Sequence, residues 1–255
     1  TPAGIPAIEE AIFNGINVNV TLIFAIKNYE EVMHAYIRGL ERRLAAGESV
    51  ERIASVASFF VSRIDVMIDK ILENNMRAAQ GRDLDRVALN RSLMGKAAIA
   101  NAKMAYRRYL QIFEGELFSK LRAAGAQVQR PLWASTGTKN PNYKDTVYVD
   151  ALIGKDTVNT VPPATLKAFK DHGTAADTLG TGLPEAEETL DKLTEVGIDL
   201  ESITNQLQVD GVALFVEAFE NLMAQVDAKR DVLATGVIEK QNLALGTYEE
   251  DVKVA

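Results

Sequence analysis

Four short strand-like runs, the first of them β-branched, each followed by a helical stretch, limit the possible folds more than any other feature of this chain. The first is INVNVTLIF at 16–24, bounded by Gly15 and the polar Lys27-Asn28. After it, Val32, Met33, Tyr36, Ile37, Leu40 and Leu44 recur three and four apart until Ala46-Gly47, which reads as an amphipathic helix. The second run is IASVASFF at 53–60, followed by Ile64, Met67, Ile68 and Ile71. The third, QVQRPLWA at 127–134, leads through the loop STGTKNPNYKD to a short helix over 147–153. The fourth is 157–161, after which Pro162-Pro163 opens a helix, proline being harmless in a first turn. Strands joined by helices run parallel, so the chain is α/β, either an open wound sheet or a (β/α) barrel.

Side-chain alternation favours the barrel. In the first run Asn17, Asn19 and Thr21 point one way and Val18, Val20 and Leu22 the other. A strand inside an open sheet is apolar on both faces, whereas a barrel strand can aim polar groups at an interior site.

The remaining segments fill in around these units. Thr1 and Pro2 suit the N-cap and first turn of a helix carrying Ile5, Ile8 and Ile12, which Asn14-Gly15 ends. In an α/β chain such a helix follows a strand, so part of the parent chain is expected to precede Thr1. Residues 76–92 read as a polar connection with Asp83 and Asp85 solvated, and 96–113 as an alanine-rich helix. A Gly- and Thr-rich loop over 173–184 precedes helices at 184–196 and 210–228. The second of these has Val212, Phe215, Val216, Phe219, Leu222, Met223 and Val226 on one face. No composition break marks a second domain, so the expected division is 1–234 and a weakly patterned tail, 235–255.

Composition removes several classes of function. A net charge of -7, from 28 basic and 35 acidic residues, opposes nucleic acid and anionic membrane. There is no cysteine, and His34 and His172 are the only histidines. Thiolate chemistry and histidine-rich metal centres are therefore excluded. No apolar run approaches a membrane span and no signal segment is evident at the start, so a soluble cytoplasmic protein is expected, with neither metal nor cofactor.

The candidate site residues lie on and after the strands. Asn19 and Thr21 share a face; they line a wet interior or bond each other in a core. Ser58 and Phe60 share a face of the second strand, and Arg63 follows it, placed to bind phosphate or to pair with Asp65 or Asp69 on the surface. Trp133 and Ser135 share a face of the third, and Lys139 lies in the loop beyond, where a phosphate or plain solvent would meet it. Asp65 and Asp69, one turn apart, read as a solvated face. Gly180-Thr181-Gly182 follows no strand and makes a poor dinucleotide fingerprint. Neither histidine has a nucleophile partner.

The segments INVNVTLIF, SVASFFVSRID, RPLWASTGTKNPNYKD and DTVNTVPPATLKAF closely resemble the bacterial transaldolases, in the same order, to about residue 228. The resemblance implies a (β/α)8 TIM barrel, of which this chain would be an amino-terminally truncated portion with about four strands and the carboxyl-terminal helices. It implies transfer of a dihydroxyacetone unit through a lysine Schiff base in the pentose phosphate pathway. The donors would be sedoheptulose 7-phosphate or fructose 6-phosphate, and the acceptors glyceraldehyde 3-phosphate or erythrose 4-phosphate. Thr21 would help hold a catalytic water. Asn19 and Ser58 would line the ketose site, Phe60 would lie near that water, and Arg63, Ser135 and Lys139 would bind phosphate. The family's lysine sits on the strand just before the segment matched by Thr1-Pro2-Ala3-Gly4, so residues 1–255 alone are expected to be inactive. A fructose-6-phosphate aldolase-like enzyme releasing free dihydroxyacetone and a non-catalytic half-barrel module are the alternatives.

Overall fold

The computed structural model describes residues 1–235. In chain order the elements are α1 (Gly4–Phe13), β1 (Val18–Ile23), α2 (Ile26–Ala45), β2 (Ser55–Phe60), α3 (Ser62–Ala79), α4 (Leu84–Leu93) and α5 (Ala97–Phe113). They continue with α6 (Glu116–Ala123), β3 (Gln129–Ala134), α7 (Val147–Ala151), β4 (Val158–Asn159), α8 (Pro163–His172), α9 (Leu183–Glu195) and α10 (Leu200–Thr235). The strands form one parallel sheet in the order β1-β2-β3-β4, as the strand–helix alternation requires. The expected tail, 235–255, lies outside the described residues apart from Thr235, which ends α10.

Register separates the two faces of the sheet. Ala57 and Phe59 on β2 stand beside Pro131 and Trp133 on β3, on the face where Tyr29 of α2 meets Phe59 edge-on with ring centroids 5.9 Å apart. Phe59 and Trp133 are also edge to face, 6.1 Å apart, and both are fully buried. On the opposite face Asn19, Val56 and Arg130 form one row, and Ser58 and Leu132 begin the next. Asn19 and Arg130 are exposed.

Several expectations at the element ends change. Thr1 does not cap α1: Ala3 occupies the N-cap without a side-chain bond, and the Thr1 carbonyl accepts the Gly4 N–H at 2.9 Å. The connection expected over 76–92 is largely helical, α3 running to Ala79 and α4 starting at Leu84. Asp83, expected to be solvated, accepts the Arg86 N–H at 2.9 Å as the N-cap of α4. The structure adds α6, which Glu116 opens and Lys120 and Arg122 close, with Gly125 following at φ 85.

Helices α1 and α2 cross at Gly39, where an added Cβ would sit 2.7 Å from Ile12 Cβ and 2.8 Å from the Glu9 carbonyl oxygen. Gly39→Ala should therefore cost about 1–3 kcal/mol through overpacking, read as a lower urea midpoint. An unchanged midpoint would show that the crossing yields freely.

Two compact units make up the chain, Thr1–Asp210 and a second beginning at Gly211. In the described part of the second, the stripe from Phe215 to Val226 is helical as expected, but it is exposed: Phe215, Phe219 and Leu222 each show more than half their surface. Among the described residues no helix is long and apolar enough to cross a membrane.

Candidate functional site

Asn19 and Ser58 meet across β1 and β2, the serine hydroxyl donating to Asn19 Oδ1 at 2.7 Å. The ladder is irregular here. Val20 stands opposite Ala57 and Ile23 opposite Phe59, so Thr21 and Leu22 face the single residue Ser58. This is a bulge, and Leu22 carries it at φ 59, a left-handed conformation that a leucine takes only under constraint. Asn19 and Thr21 do not form the internal Asn–Thr bond that was one of their two readings. Both are exposed, and Thr21 lines a cavity with Thr1, Pro2, Ile5 and Asn28.

Beyond the strands, β2 and β3 turn off together. Val61 and Ser62 donate their N–H groups to the carbonyls of Ala134 and Ser135, each at 3.0 Å. The hydroxyls of Ser62 and Ser135 are also 3.0 Å apart. Ser135 lies just past the end of β3 at φ 57, so strand alternation no longer relates it to Trp133. Arg63 follows Ser62 in the first turn of α3, with its guanidinium 5.2 Å from the centre of the Phe60 ring. Phe60 in turn packs on Phe24, centroids 5.3 Å apart.

The surface pairing of Arg63 with Asp65 or Asp69 is not formed, and neither carboxylate is solvated. Asp65 is 1% exposed and Asp69 7%. Asp65 accepts the Ala98 N–H at 2.8 Å and the Tyr148 hydroxyl at 2.9 Å; Asp69 accepts the Gly95 N–H at 2.9 Å and the Tyr143 hydroxyl at 2.7 Å. Burial pushes the Asp65 carboxyl up to about 6 and raises Asp69 as well, while the donated hydrogen bonds oppose both shifts. Periodicity did carry a signal for this burial, since Asp65 and Asp69 bracket the buried Ile68 and follow Ile64. Their tyrosine partners lie 83 and 74 residues downstream and could not be read from spacing.

The structure thus brings Asn19 to Ser58, Ser135 to Ser62, and Arg63 to Phe60. Lys139 is exposed and borders a different cavity from that of Thr21, beside Asp69, Asn140 and Tyr143. The strands β1 to β4 contain no lysine. Among the described residues no group of three or more His, Asp or Glu is placed to hold a metal ion. His172 sits between Asp145 at 2.8 Å and Asp171 at 3.1 Å, which raise its pKa.

This is an α/β chain in which the hydroxyls of Ser62 and Ser135 and the Arg63 guanidinium lie just past the carboxyl ends of parallel strands, the region where βα junctions bind ligands, while Asn19 and Ser58 meet farther down the sheet. The family model for Transaldolase/Fructose-6-phosphate aldolase matches residues 1–226, and the chain belongs to that family. It is 48% identical over 239 residues to Transaldolase 2 of Nostoc sp., covering 92% of this chain and 62% of the relative. It is 50% identical to Transaldolase 1 of Streptomyces avermitilis, covering 89% of this chain and 57% of the relative. Against the Transaldolase of Mycolicibacterium smegmatis it is 46% identical, covering 91% and 60%. The chain therefore spans about three-fifths of the length of these relatives.

Proposed function

We propose that residues 1–255 are the larger part of a transaldolase, a truncated (β/α)8 barrel whose Schiff-base lysine lies in the parent polypeptide outside this stretch. The observation that carries this reading is the contact of Asn19 with Ser58 beside the bulge at Thr21, next to a strand set that holds no lysine. The amine would add to the C2 carbonyl of fructose 6-phosphate or sedoheptulose 7-phosphate with loss of water. As the C3–C4 bond breaks, its electrons pass into the protonated imine and the aldose phosphate leaves. The resulting enamine carbon then attacks the aldehyde of glyceraldehyde 3-phosphate or erythrose 4-phosphate, and hydrolysis returns the amine.

In this scheme Asn19 and Ser58 hold ketose hydroxyls, Thr21 orients the water that carries protons, and Phe60 shields it. Arg63, Ser135 and Lys139 take the phosphate, Arg63 through its planar fork of donors. Such sugar phosphates are cytoplasmic metabolites, and the acidic surface of the chain suits that compartment. The contact of Arg63 with the Phe60 face would align the guanidinium and restrict its motion.

Borohydride reduction in the presence of fructose 6-phosphate should leave residues 1–255 without a covalent sugar adduct by intact mass. The same residues preceded by the unmatched part of the Nostoc sp. relative should gain one dihydroxyacetone unit on a lysine before Thr1. An adduct on Lys27, Lys96 or Lys139 would overturn the assignment. Release of free dihydroxyacetone without transfer to an acceptor would favour an aldolase instead.

A further inference from the structure

The loop between β3 and α7 carries Ser135 and Lys139, and much of it is closed on itself. Thr138 Oγ1 donates to the carbonyls of Lys144 at 3.1 Å and Asp145 at 3.0 Å, and the Tyr143 N–H donates to the Asn140 carbonyl at 3.1 Å. Tyr143 then ties this closed segment to the opposite wall of the site. Its hydroxyl donates to Asp69 Oδ2 at 2.7 Å, and Asp69 Oδ1 accepts the Gly95 N–H. Its ring lies directly over Gly95, where an added Cβ would fall 2.7 Å from Tyr143 Cζ. Asp69 lies on α3, the helix whose first turn carries Arg63. Lys139 and Asn140 border the same cavity as Asp69 and Tyr143.

A buried carboxylate that spends both oxygens on fixed donors is an anchor, because moving either partner leaves it unsatisfied in a place water reaches poorly. Here the anchor joins the element bearing Arg63 to the loop bearing Ser135 and Lys139. We propose that Tyr143, held by Asp69 and seated on Gly95, is a positioning residue. It fixes the 135–146 loop so that Ser135 and Lys139 stand ready beside Arg63 for the phosphate of a sugar phosphate. This rests on the phosphate-binding role given above to Arg63, Ser135 and Lys139. An unanchored loop would have to be ordered at the moment of binding, and affinity would fall accordingly.

The test uses the full 255-residue chain and fructose 6-phosphate, with affinity read by 31P NMR titration and fold by thermal midpoint. Arg63→Ala should remove binding. Tyr143→Phe, which keeps the ring and deletes the hydroxyl, should weaken binding by roughly tenfold, and so should Asp69→Ala and Gly95→Ala. Asp69→Asn should stay within about twofold of the unaltered chain, because its amide oxygen still accepts from Gly95 and its NH2 can donate to Tyr143. Tyr143→Phe binding like the unaltered chain, with Arg63→Ala inactive, would overturn the positioning role alone. So would affinities that merely follow the thermal midpoints, Asp69→Asn included. If Arg63→Ala binds as tightly as the unaltered chain, or the unaltered chain does not bind, the phosphate-site reading fails and the proposal goes with it.

Discussion

Trp133→Ala should lower the unfolding free energy by about 3–5 kcal/mol, measured by urea denaturation followed by circular dichroism. Trp133 is fully buried on β3 and meets Phe59 of β2 edge to face. Removing the indole takes away a large apolar surface and one half of an aromatic pair, and leaves a cavity on the sheet face that Phe59 shares with Tyr29 of α2. The comparison with Trp133→Phe separates packing from polarity. Among the described residues the buried Trp133 indole N–H has no acceptor, so replacing it with an apolar ring relieves an unmet donor while surrendering some volume. Trp133→Phe should therefore cost about 2 kcal/mol less than Trp133→Ala. Equal losses for the two variants would mean that the ring itself contributes little. Trp133 is also the only tryptophan in the chain, so the emission of the unaltered protein reports on this one layer.

Asp65→Asn should make the protein more stable at pH 7.5 and change little below pH 4. Burial lifts the folded-state pKa of Asp65 from 3.8 to about 6, so the folded state favours the protonated acid. That preference stabilises the fold fully below the unfolded pKa and is lost as pH rises through about 6. At neutral pH the ionised form costs on the order of 3 kcal/mol. The groups facing it are the Ala98 N–H and the Tyr148 hydroxyl, with Asp69 a turn away adding repulsion. Asparagine keeps an acceptor for Ala98 and a donor for Tyr148, so a gain of about 1–3 kcal/mol at pH 7.5 is expected. Denaturation midpoints across pH 3.5–8 would show it as a flattened profile. A variant uniformly weaker at every pH would show that the charge is needed where it stands.

The parallel sheet was legible because short strand-like runs and 3.6-residue periodicity are local signals, and the three longer strands fall inside the runs that announced them. What escaped was set by partners far apart in the chain. Asp65 and Asp69 look like solvent-facing acids until Tyr148 and Tyr143 arrive from the far side of β3. α4 is weakly amphipathic and α6 spans only Glu116–Ala123, too short to show a sustained period, and their clearest marks are end signals, Asp83 before one and Glu116 with Arg122 in the other. The bulge at Thr21 and Leu22 is invisible in INVNVTLIF, since a run of alternating residues gives no hint that its neighbour offers one residue fewer. Asn19, Ser58 and Arg63 each stand out from their positions on or just after a strand, but grouping them in one site rests on the resemblance of several segments to one family.

That extra residue in β1 has a geometric consequence for any ligand lying across it. In a straight ladder, like-facing groups repeat about every 6.6 Å along a strand, and a sugar's hydroxyls, much closer together, would fall out of step with them. Placing two residues against Ser58 breaks this lattice and supplies an off-repeat spacing next to the contact of Asn19 with Ser58. Deleting Thr21 or Leu22 would restore the even pitch of the ladder and remove this offset between β1 and β2.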